Sequence, residues 1–189
     1  SLNAGHNGKI YMFGGFNYRS TAAYAYSRAA DEERNVKEIY PDGFDPLIKS
    51  VINDASMGIG YKTLFKKWNI DFSDVIGNNR FHFFVDNTLN SSMVNNSPTR
   101  FDAGGFSLTQ NTLNLDLSRN FNVLEGLNLA FGTEYRVENY GIFAGDEPSY
   151  TTYGKVVFSI DTATHDTIFR PGGSQGFPGF QPANEVNES

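Results

Sequence analysis

The stretch GLNLAFGTEYRVENYGIF, Gly126 to Phe143, alternates between apolar and polar side chains. Polar or small residues separate its apolar positions, which are Leu127, Leu129, Phe131, Tyr135 and Val137, with Thr133 among them. Successive side chains of a β-strand point to opposite faces, so this pattern predicts a strand with one apolar face and one polar face. Such a strand fits either a protein core bordered by water or a lipid bilayer bordered by a water-filled lumen.

The composition favours β-structure. The 189 residues include 17 Phe, 10 Tyr and 19 Gly, but one Trp and no Cys. Aromatic residues favour strands and glycine favours turns. With 39% hydrophobic and 19% charged residues, the chain could build the core of about one domain. We therefore predict an all-β protein.

Charge and hydropathy narrow the class of protein. The net charge of −6 and the pI near 5.0 argue against nucleic acid as a partner, because phosphate-binding surfaces normally cluster Lys and Arg. No run of about 18 apolar residues predicts a membrane helix. The mean hydropathy of −0.40 fits both a soluble protein and a membrane barrel with alternating strands. No signal peptide opens the chain, which we interpret as a piece of a longer protein.

Alternating segments and turn residues divide the chain into about five strands, near residues 9–19, 55–65, 68–87, 104–119 and 126–143. We expect long loops at residues 20–54, 88–103 and 144–189, and short turns at Lys66-Lys67 and from Asn122 to Glu125. Turns this short predict antiparallel hairpins, with Tyr61 opposite Phe72. The predicted fold is an antiparallel meander of about five strands with long loops on one side. A piece of a large transmembrane β-barrel has this asymmetry of loop lengths, but soluble sandwiches also mix long and short loops.

Two segments carry further expectations. The alternation is clean beside the short turns but mixed past Gly77, which predicts water on both sides of that part of the strand. The charged run RAADEER, Arg28 to Arg34, predicts a short solvated helix.

Seven segments, in order along the chain, resemble the barrel of TonB-dependent outer-membrane receptors. They are KIYMFGGFNYR, EIYPDGFDP, DNTLNSS, SPTRFDAGGF, NLDLSRNF, LNLAFGTEYRVENYGIFAGDEPSY and GGSQGFPGFQP. The resemblance implies a barrel of about twenty-two strands, to which this chain contributes about five. It also implies a place in the cell outer membrane and four kinds of partner: outer-membrane lipid, the remaining barrel strands and plug domain, the TonB complex acting through the plug, and a small-molecule or oligosaccharide ligand.

The resemblance also assigns the two faces of the strands. It places Leu127, Leu129, Phe131 and Tyr135 against lipid, and Asn128, Glu134, Arg136 and Glu138 towards the lumen or plug. Phe65 and Trp68, which flank the Lys66-Lys67 turn, would belong to the aromatic girdle at the membrane interface. Ordinary packing at strand ends is the alternative for these two rings.

The sequence contains no motif for catalysis, for a metal or for a cofactor. His6, His82 and His165 lie far apart and lack metal-ligand spacing. The segment GGSQGFPGF lacks the Lys-Ser/Thr of a phosphate-binding loop. We therefore predict that the chain is not an enzyme and holds neither a metal nor a cofactor.

Aromatic residues of the long loops are the candidate ligand-binding groups. Sugars and other amphipathic ligands stack on exposed rings. The loop rings with this potential are Tyr24, Tyr26, Tyr150, Tyr153, Phe177 and Phe180. In GGSQGFPGF, glycine and proline predict a rigid loop in which Phe177 and Phe180 stay exposed. The alternative is that these rings pack the loops against one another.

Two functions follow from these patterns. In the first, the chain forms part of the barrel wall and extracellular loops of a TonB-dependent outer-membrane receptor, which takes up a nutrient such as a glycan or siderophore in an energised step. The second is a soluble β-sandwich module that binds glycan. The two differ in what covers the apolar face formed by Leu113, Leu115, Leu117, Leu127, Leu129 and Phe131. A sandwich covers it with a second sheet, and a membrane covers it with lipid.

Overall fold

The computed structural model describes residues 1–5, 7–123, 126–182 and 187–188. Its strands are β1 (Leu2–Ala4), β2 (Gly8–Tyr24), β3 (Leu47–Phe65), β4 (Trp68–Asp86), β5 (Arg100–Phe121), β6 (Leu127–Phe143), β7 (Val157–Ile160), β8 (Thr167–Phe169) and β9 (Asn187–Glu188). Two short 3-10 helices, Ser91–Asn96 and Glu147–Ser149, lie in the connections. The prediction of an all-β protein is confirmed.

The strands form an antiparallel meander, as predicted. The main sheet has the order β1-β2-β3-β4-β5-β6-β9, and β7 and β8 form a separate hairpin. Tyr61 lies opposite Phe72. Lys66 and Lys67 have positive φ angles of 48° and 69°, which is the backbone of a tight two-residue hairpin turn.

The second predicted hairpin joins β5 and β6. These strands pair antiparallel from Phe121 opposite Leu127 onwards. Leu124 and Glu125 of the predicted turn lie outside the described residues. The short turns lie at one end of the sheet and the long connections at the other, in agreement with the predicted asymmetry.

Three long strands, β2, β3 and β5, extend beyond their predicted bounds at the loop end of the sheet, whereas β4 and β6 end there within one residue of the prediction. β2 continues to Tyr24 and β3 begins at Leu47, so their connection spans residues 25–46 rather than 20–54. Hydrogen bonds between polar side chains join the added parts of β2 and β3: the hydroxyl oxygens of Thr21 and Ser50 lie 2.5 Å apart. Such polar strand ends lack the apolar alternation from which the bounds were predicted.

On the half of the sheet beside the short turns, one face is mainly apolar on every long strand, with Asp74 and Arg119 as charged residues among the apolar ones. We call this surface the apolar belt, and its members are Ile10, Met12, Phe16, Met57, Ile59, Tyr61, Phe65, Trp68, Ile70, Phe72, Ile76, Leu113, Leu115, Leu117, Phe121, Leu127, Leu129, Phe131, Tyr135 and Val137. Most of these side chains are exposed, including Phe131 at 55% and Tyr135 at 68%. The opposite face of the same half carries polar groups such as Lys62 and Asp71, whose Nζ and Oδ2 lie 3.1 Å apart.

Beyond the level of Gly77 most of the apolar side chains lie on the opposite face, which we call the cap face because the long loops fold over it. Ile52, Phe81 and Phe106 occupy adjacent positions there on β3, β4 and β5. The face of the apolar belt carries Arg80 at this level, and Phe143 packs against its guanidinium. The expectation of water on both sides past Gly77 is therefore wrong, because loops cover one of the two faces and apolar side chains pack beneath them.

The buried core lies at the loop end of the molecule rather than between two sheets: one cluster is in the loops, and Ile52, Val85, Phe101 and Ala103 are buried on the strands beside them. Val36 and Leu89 are fully buried and Phe44 is 7% exposed, and the three form one cluster. Tyr40 stacks on Phe44 with ring centroids 4.5 Å apart. Burial raises the pKa of the Tyr40 hydroxyl.

The charged run RAADEER forms turns rather than the predicted solvated helix. The Asn35 side-chain amide donates to the carbonyl oxygens of Ala30 and Tyr40, at 3.1 Å and 2.9 Å. Arg28 pairs with Phe44 in an isolated β-bridge. These bonds compete with helical hydrogen bonds and hold the segment in a compact bend.

Both edges of the main sheet are largely unpaired in the described part of the chain. β2 pairs with β1 over Gly8–Ile10 alone. β6 pairs with β9 at Tyr140 and Gly141 alone. The backbone from Tyr11 to Tyr24 and from Leu127 to Asn139 therefore offers N–H and C=O groups to a further strand on each side.

Aromatic rings lie across two glycines of β3. A Cβ on Gly60 would come within 2.2 Å of the Tyr11 ring, and one on Gly58 within 2.5 Å of the Phe13 ring. Tyr11 extends across β3 to β4, where its hydroxyl donates to the Asp71 carboxylate at 2.9 Å. A ring that covers a glycine on the neighbouring strand helps to fix the register of a sheet.

Gly60→Ala should lower the stability of the chain folded in detergent micelles by about 1–3 kcal/mol, because the new methyl group displaces the Tyr11 ring and breaks its bond to Asp71. Gly15→Ala is the control: no atom lies within 4 Å of a Cβ there, so we expect a gain of about 0.5–1 kcal/mol. Urea titration followed by the fluorescence of Trp68, the single Trp, measures both changes. Equal effects of the two substitutions would contradict the role of the ring.

Candidate functional site

The long connections fold together at the loop end of the sheet. We call them the cap, which comprises residues 25–46, 87–99 and 144–182. Asn90 lies at the centre of the cap and is fully buried. Its side-chain amide donates to the carbonyl oxygens of Pro148 and Thr151, both at 2.8 Å, and its Oδ1 accepts from the N–H and hydroxyl of Ser92. Every polar atom of the Asn90 side chain is thereby satisfied.

Gln175 connects all three loops of the cap. The Thr88 hydroxyl donates to the Gln175 carbonyl oxygen at 2.8 Å, and the Gln175 N–H donates to the Leu89 carbonyl oxygen at 3.1 Å. Arg28 Nε donates to Gln175 Oε1 at 3.3 Å. The cap is therefore one hydrogen-bonded unit rather than three independent loops.

Beneath the cap, aromatic rings form a continuous cluster on the cap face. This aromatic cluster comprises Phe81, Phe83, Phe106, Tyr140, Phe177 and Phe180. The ring centroids of Phe81 and Phe83 are 4.6 Å apart, those of Phe81 and Phe106 5.3 Å, and those of Phe83 and Phe177 4.8 Å. These separations are typical of packed aromatic pairs.

Phe177 and Phe180 are half-buried in this cluster. Phe177 packs on Phe83, and the Phe180 N–H donates to the Ala103 carbonyl oxygen at 2.9 Å, which fixes the loop on the sheet. The expectation that both rings stay exposed is wrong, because their loop lies on an apolar patch whose burial is favourable. The two rings pack, as in the alternative, but they pack their loop against Phe83 of the sheet rather than against another loop.

The other predicted rings lie elsewhere in and beside the cap. Tyr24 and Tyr26 are 74% and 88% exposed where β2 enters the first loop. Tyr150 and Tyr153 lie near Glu147, and desolvation together with this carboxylate raises the pKa of the Tyr153 hydroxyl. In the residues that the structure describes, no ring contact connects either pair to the aromatic cluster.

The four rings that strands contribute to the aromatic cluster, Phe81, Phe83, Phe106 and Tyr140, were not among the predicted site residues. The sequence did contain a signal for them. Along β4 the apolar residues change from even-numbered positions, Trp68, Ile70 and Phe72, to odd-numbered positions, Phe81 and Phe83. Side chains alternate strictly along an unbulged strand, so a change of parity means that the apolar side chains have moved to the other face.

An open cavity of about 510 Å³, which we call the groove, lies on the cap face between the aromatic cluster and the short-turn half of the sheet. Its floor is a row of small residues on three adjacent strands, Gly15, Ser56 and Gly77. Asp54 and Asn79 form part of its wall. The Asp54 carboxylate accepts from the Arg19 guanidinium at 2.9 Å and from the Asn79 side-chain amide. The groove therefore combines a flat floor with a hydrogen-bonding wall.

The three histidines, His6, His82 and His165, lack metal-ligand spacing in the sequence. His82 pairs with Asp102 at 2.7 Å, His165 lies in an exposed turn, and His6 is outside the described residues. In the described ranges, no group of three or more His, Asp or Glu side chains is placed to hold a metal ion. Within the same ranges, neither helix has the length and apolar character of a membrane span.

Searches of the chain against protein-family models, curated proteins and solved structures found no match. Its function is therefore inferred from the apolar belt, the sheet edges and the groove.

Asn90→Ala should loosen the cap while leaving the sheet folded, because it removes one donor from the Thr151 carbonyl oxygen, which still accepts from the Gly173 N–H, and takes the side-chain donor away from the part-buried Pro148 carbonyl oxygen. Asn90 caps the 3-10 helix Ser91–Asn96, and Asn95→Ala, at an exposed position of that helix, is the matched control. We expect amide hydrogen exchange in residues 144–182 to accelerate by about tenfold or more for Asn90→Ala alone, since about 1–3 kcal/mol is lost locally. Unchanged exchange in that loop would show that Asn90 does not hold the cap.

Proposed function

We propose that the chain is part of the barrel wall and extracellular loops of a TonB-dependent outer-membrane receptor, which imports a nutrient such as a glycan or siderophore with energy from an inner-membrane TonB complex. The apolar belt carries this proposal. On their short-turn halves, five adjacent strands expose mainly large apolar side chains on one face and mainly polar side chains on the other, where Phe13 and Leu64 are the exposed large apolar exceptions among the described residues. On β6 the belt runs from Leu127 to Val137, about the 9–11 residues that a tilted strand needs to cross a bilayer.

The cost of leaving this belt in water supports lipid contact. Each large apolar side chain left in water forgoes about 1.5–3 kcal/mol relative to full burial. Lipid covers such side chains on outer-membrane barrels, whose lumen-facing side chains are polar. The opposite face has this polar character, with Asp116 and Glu134 at exposed positions.

The positions of β1 and β9 support a sheet that continues on both sides. β1 runs along β2 at the short-turn end, and β9 runs along β6 at the loop end. Each lies where the next strand of a meander would run. A sheet in a bilayer has no water to satisfy its edge groups, so it must close on itself. The remaining receptor strands would pair with Tyr11–Tyr24 and Leu127–Asn139.

The two ends of the sheet support an orientation in the membrane. Outer-membrane barrels have short turns on the periplasmic side and long loops outside. At the short-turn end, Trp68 packs edge-on against Phe121 and Phe131, with ring centroids 6.1 Å and 5.7 Å away. Together with Phe65 these rings fit an interfacial aromatic girdle. The plug domain and the TonB complex enter the proposal through the sequence resemblance alone.

A soluble β-sandwich that binds glycan is the second candidate. It requires a second sheet packed over the apolar belt. In the described part of the chain the other sheet is the hairpin of β7 and β8, with strands of four and three residues, and most side chains of the belt remain exposed. The exposed belt therefore favours the membrane over the sandwich.

Single-cysteine labelling tests lipid contact directly, because the chain has no Cys. Leu115→Cys and Phe131→Cys place a fluorophore on the apolar belt, and the neighbouring Asn114→Cys and Glu134→Cys place it on the opposite face. In vesicles that contain nitroxide-labelled lipid, we expect quenching at the first two positions and none at the other two.

Two outcomes of this experiment would contradict the barrel wall. One is equal quenching on both faces. The other is a folded protein in which neither face is quenched, and protection of the belt cysteines in detergent-free buffer would then favour the sandwich. Energised import is tested separately in cells, since ligand uptake that persists without TonB would contradict it.

A further inference from the structure

We propose that the groove binds a neutral, polyhydroxylated ligand of the sugar class. This inference rests on the proposed function, in which the cap face lines the lumen of the receptor. The cavity volume of about 510 Å³ lies within the range of about 300–1,000 Å³ that is usual for small-ligand sites.

Two glycines of the groove floor are not required by the fold. Gly15 and Gly77 do not have positive φ angles. A Cβ on Gly15 would meet no atom within 4 Å, and one on Gly77 would meet its nearest atom at 4.0 Å. Gly58 and Gly60, by contrast, are covered by aromatic rings. Glycine inside a strand costs about 0.5–1 kcal/mol relative to Ala, so an uncovered glycine here fits a ligand that approaches the backbone closely.

The charge of the groove favours a neutral ligand. Among the described residues that line the groove, Asp54 is the one that is ionisable, and the Arg19 guanidinium lies 2.9 Å from its carboxylate. An anionic ligand would find no unpaired cation, and a cationic ligand would have to compete with Arg19 for Asp54. Either ligand would lose water from its charge without gaining a free partner.

The remaining polar groups of the groove match hydroxyl groups. Asn17, Asn79 and Gln110 each carry an amide donor and an amide acceptor, and Ser56 carries a hydroxyl. The Gln110 amide donates to Thr112 Oγ1 at 3.1 Å, which leaves its side-chain oxygen available to accept. A sugar hydroxyl both donates and accepts, so it can use both kinds of group.

The aromatic cluster borders the groove on the side of the cap. Leu108 lies in the row directly above the floor, beside Asn79 on β4 and Tyr140 on β6. Phe81 and Phe106 form the next row towards the cap. A sugar ring has hydroxyl edges and an apolar C–H face, which suits hydrogen-bonding groups placed next to aromatic rings.

Filling the floor of the groove tests the inference. Gly77→Leu adds a side chain where the structure has open space, and Gly15→Leu does so from a different strand. Ala130→Leu, on the same face but beside the short turns, is the matched control. The complete receptor is probed with an array of neutral glucan, mannan, xylan and fructan oligosaccharides, and with oligogalacturonides and ferric siderophores as charged probes.

We expect a neutral oligosaccharide to bind, and its Kd to rise by about tenfold or more in both groove variants but not in Ala130→Leu. Asn79→Ala, which adds no volume, should raise the Kd by about twofold to tenfold through the loss of one hydrogen bond. This variant keeps the test decisive if a leucine variant does not insert into the membrane.

Three outcomes would overturn the inference. Neutral oligosaccharide binding that the groove variants leave unchanged would place the site elsewhere, and binding of charged probes alone would refute the ligand class. Failure of every neutral oligosaccharide to bind a receptor that shows the lipid-quenching pattern would refute the sugar site and leave the barrel wall intact. Absence of the quenching pattern itself is instead a failure of the proposed function.

Discussion

The register that locks the five long strands side by side is the constraint on which the other features of the molecule depend. Side chains alternate along a strand with a period of two, so a slip of one residue in β4 would move Phe72 from the apolar belt to the opposite face. The tight turn at Lys66 and Lys67 fixes the pairing of β3 with β4. The Tyr11 hydroxyl bond to Asp71 ties β2 to β4 across the strand between them. These contacts place the apolar side chains of separate strands on one common surface.

Because the register is shared, the apolar side chains change faces at the same level on neighbouring strands. Below the level of Gly77 they form the apolar belt, and above it they form the aromatic cluster beneath the cap. One sheet thereby meets two apolar environments, with the belt open on one face and the cap packed on the other. Asn90 and Gln175 make the cap rigid enough to cover the cluster, since both connect different loops. The groove lies on the cap face, at the level where the apolar belt ends on one face and the aromatic cluster begins on the other.

Local patterns in the sequence predicted the parts of the fold that local contacts decide. The alternation in residues 126–143 predicted a strand with two unlike faces, and the short turn at residues 66–67 predicted a hairpin. The strand ends were harder to predict, because polar pairs such as Thr21 with Ser50 extend the strands without any apolar pattern. The packing of Phe177 on Phe83 joins residues that are distant in sequence, so its burial depends on the assembled sheet rather than on the segment GGSQGFPGF. The groove was missed for the same reason, since its floor is built by residues from three strands.

The membrane assignment requires that the apolar belt be covered by something other than water. The association state and urea unfolding of the purified 189-residue chain in detergent-free buffer test this requirement most directly, by analytical ultracentrifugation and Trp68 fluorescence. We predict that the chain associates through its free edges and its belt, or unfolds without a cooperative transition, and that detergent restores a dispersed, cooperative fold. A soluble monomer that unfolds cooperatively in the absence of detergent would contradict the membrane assignment and favour the soluble module.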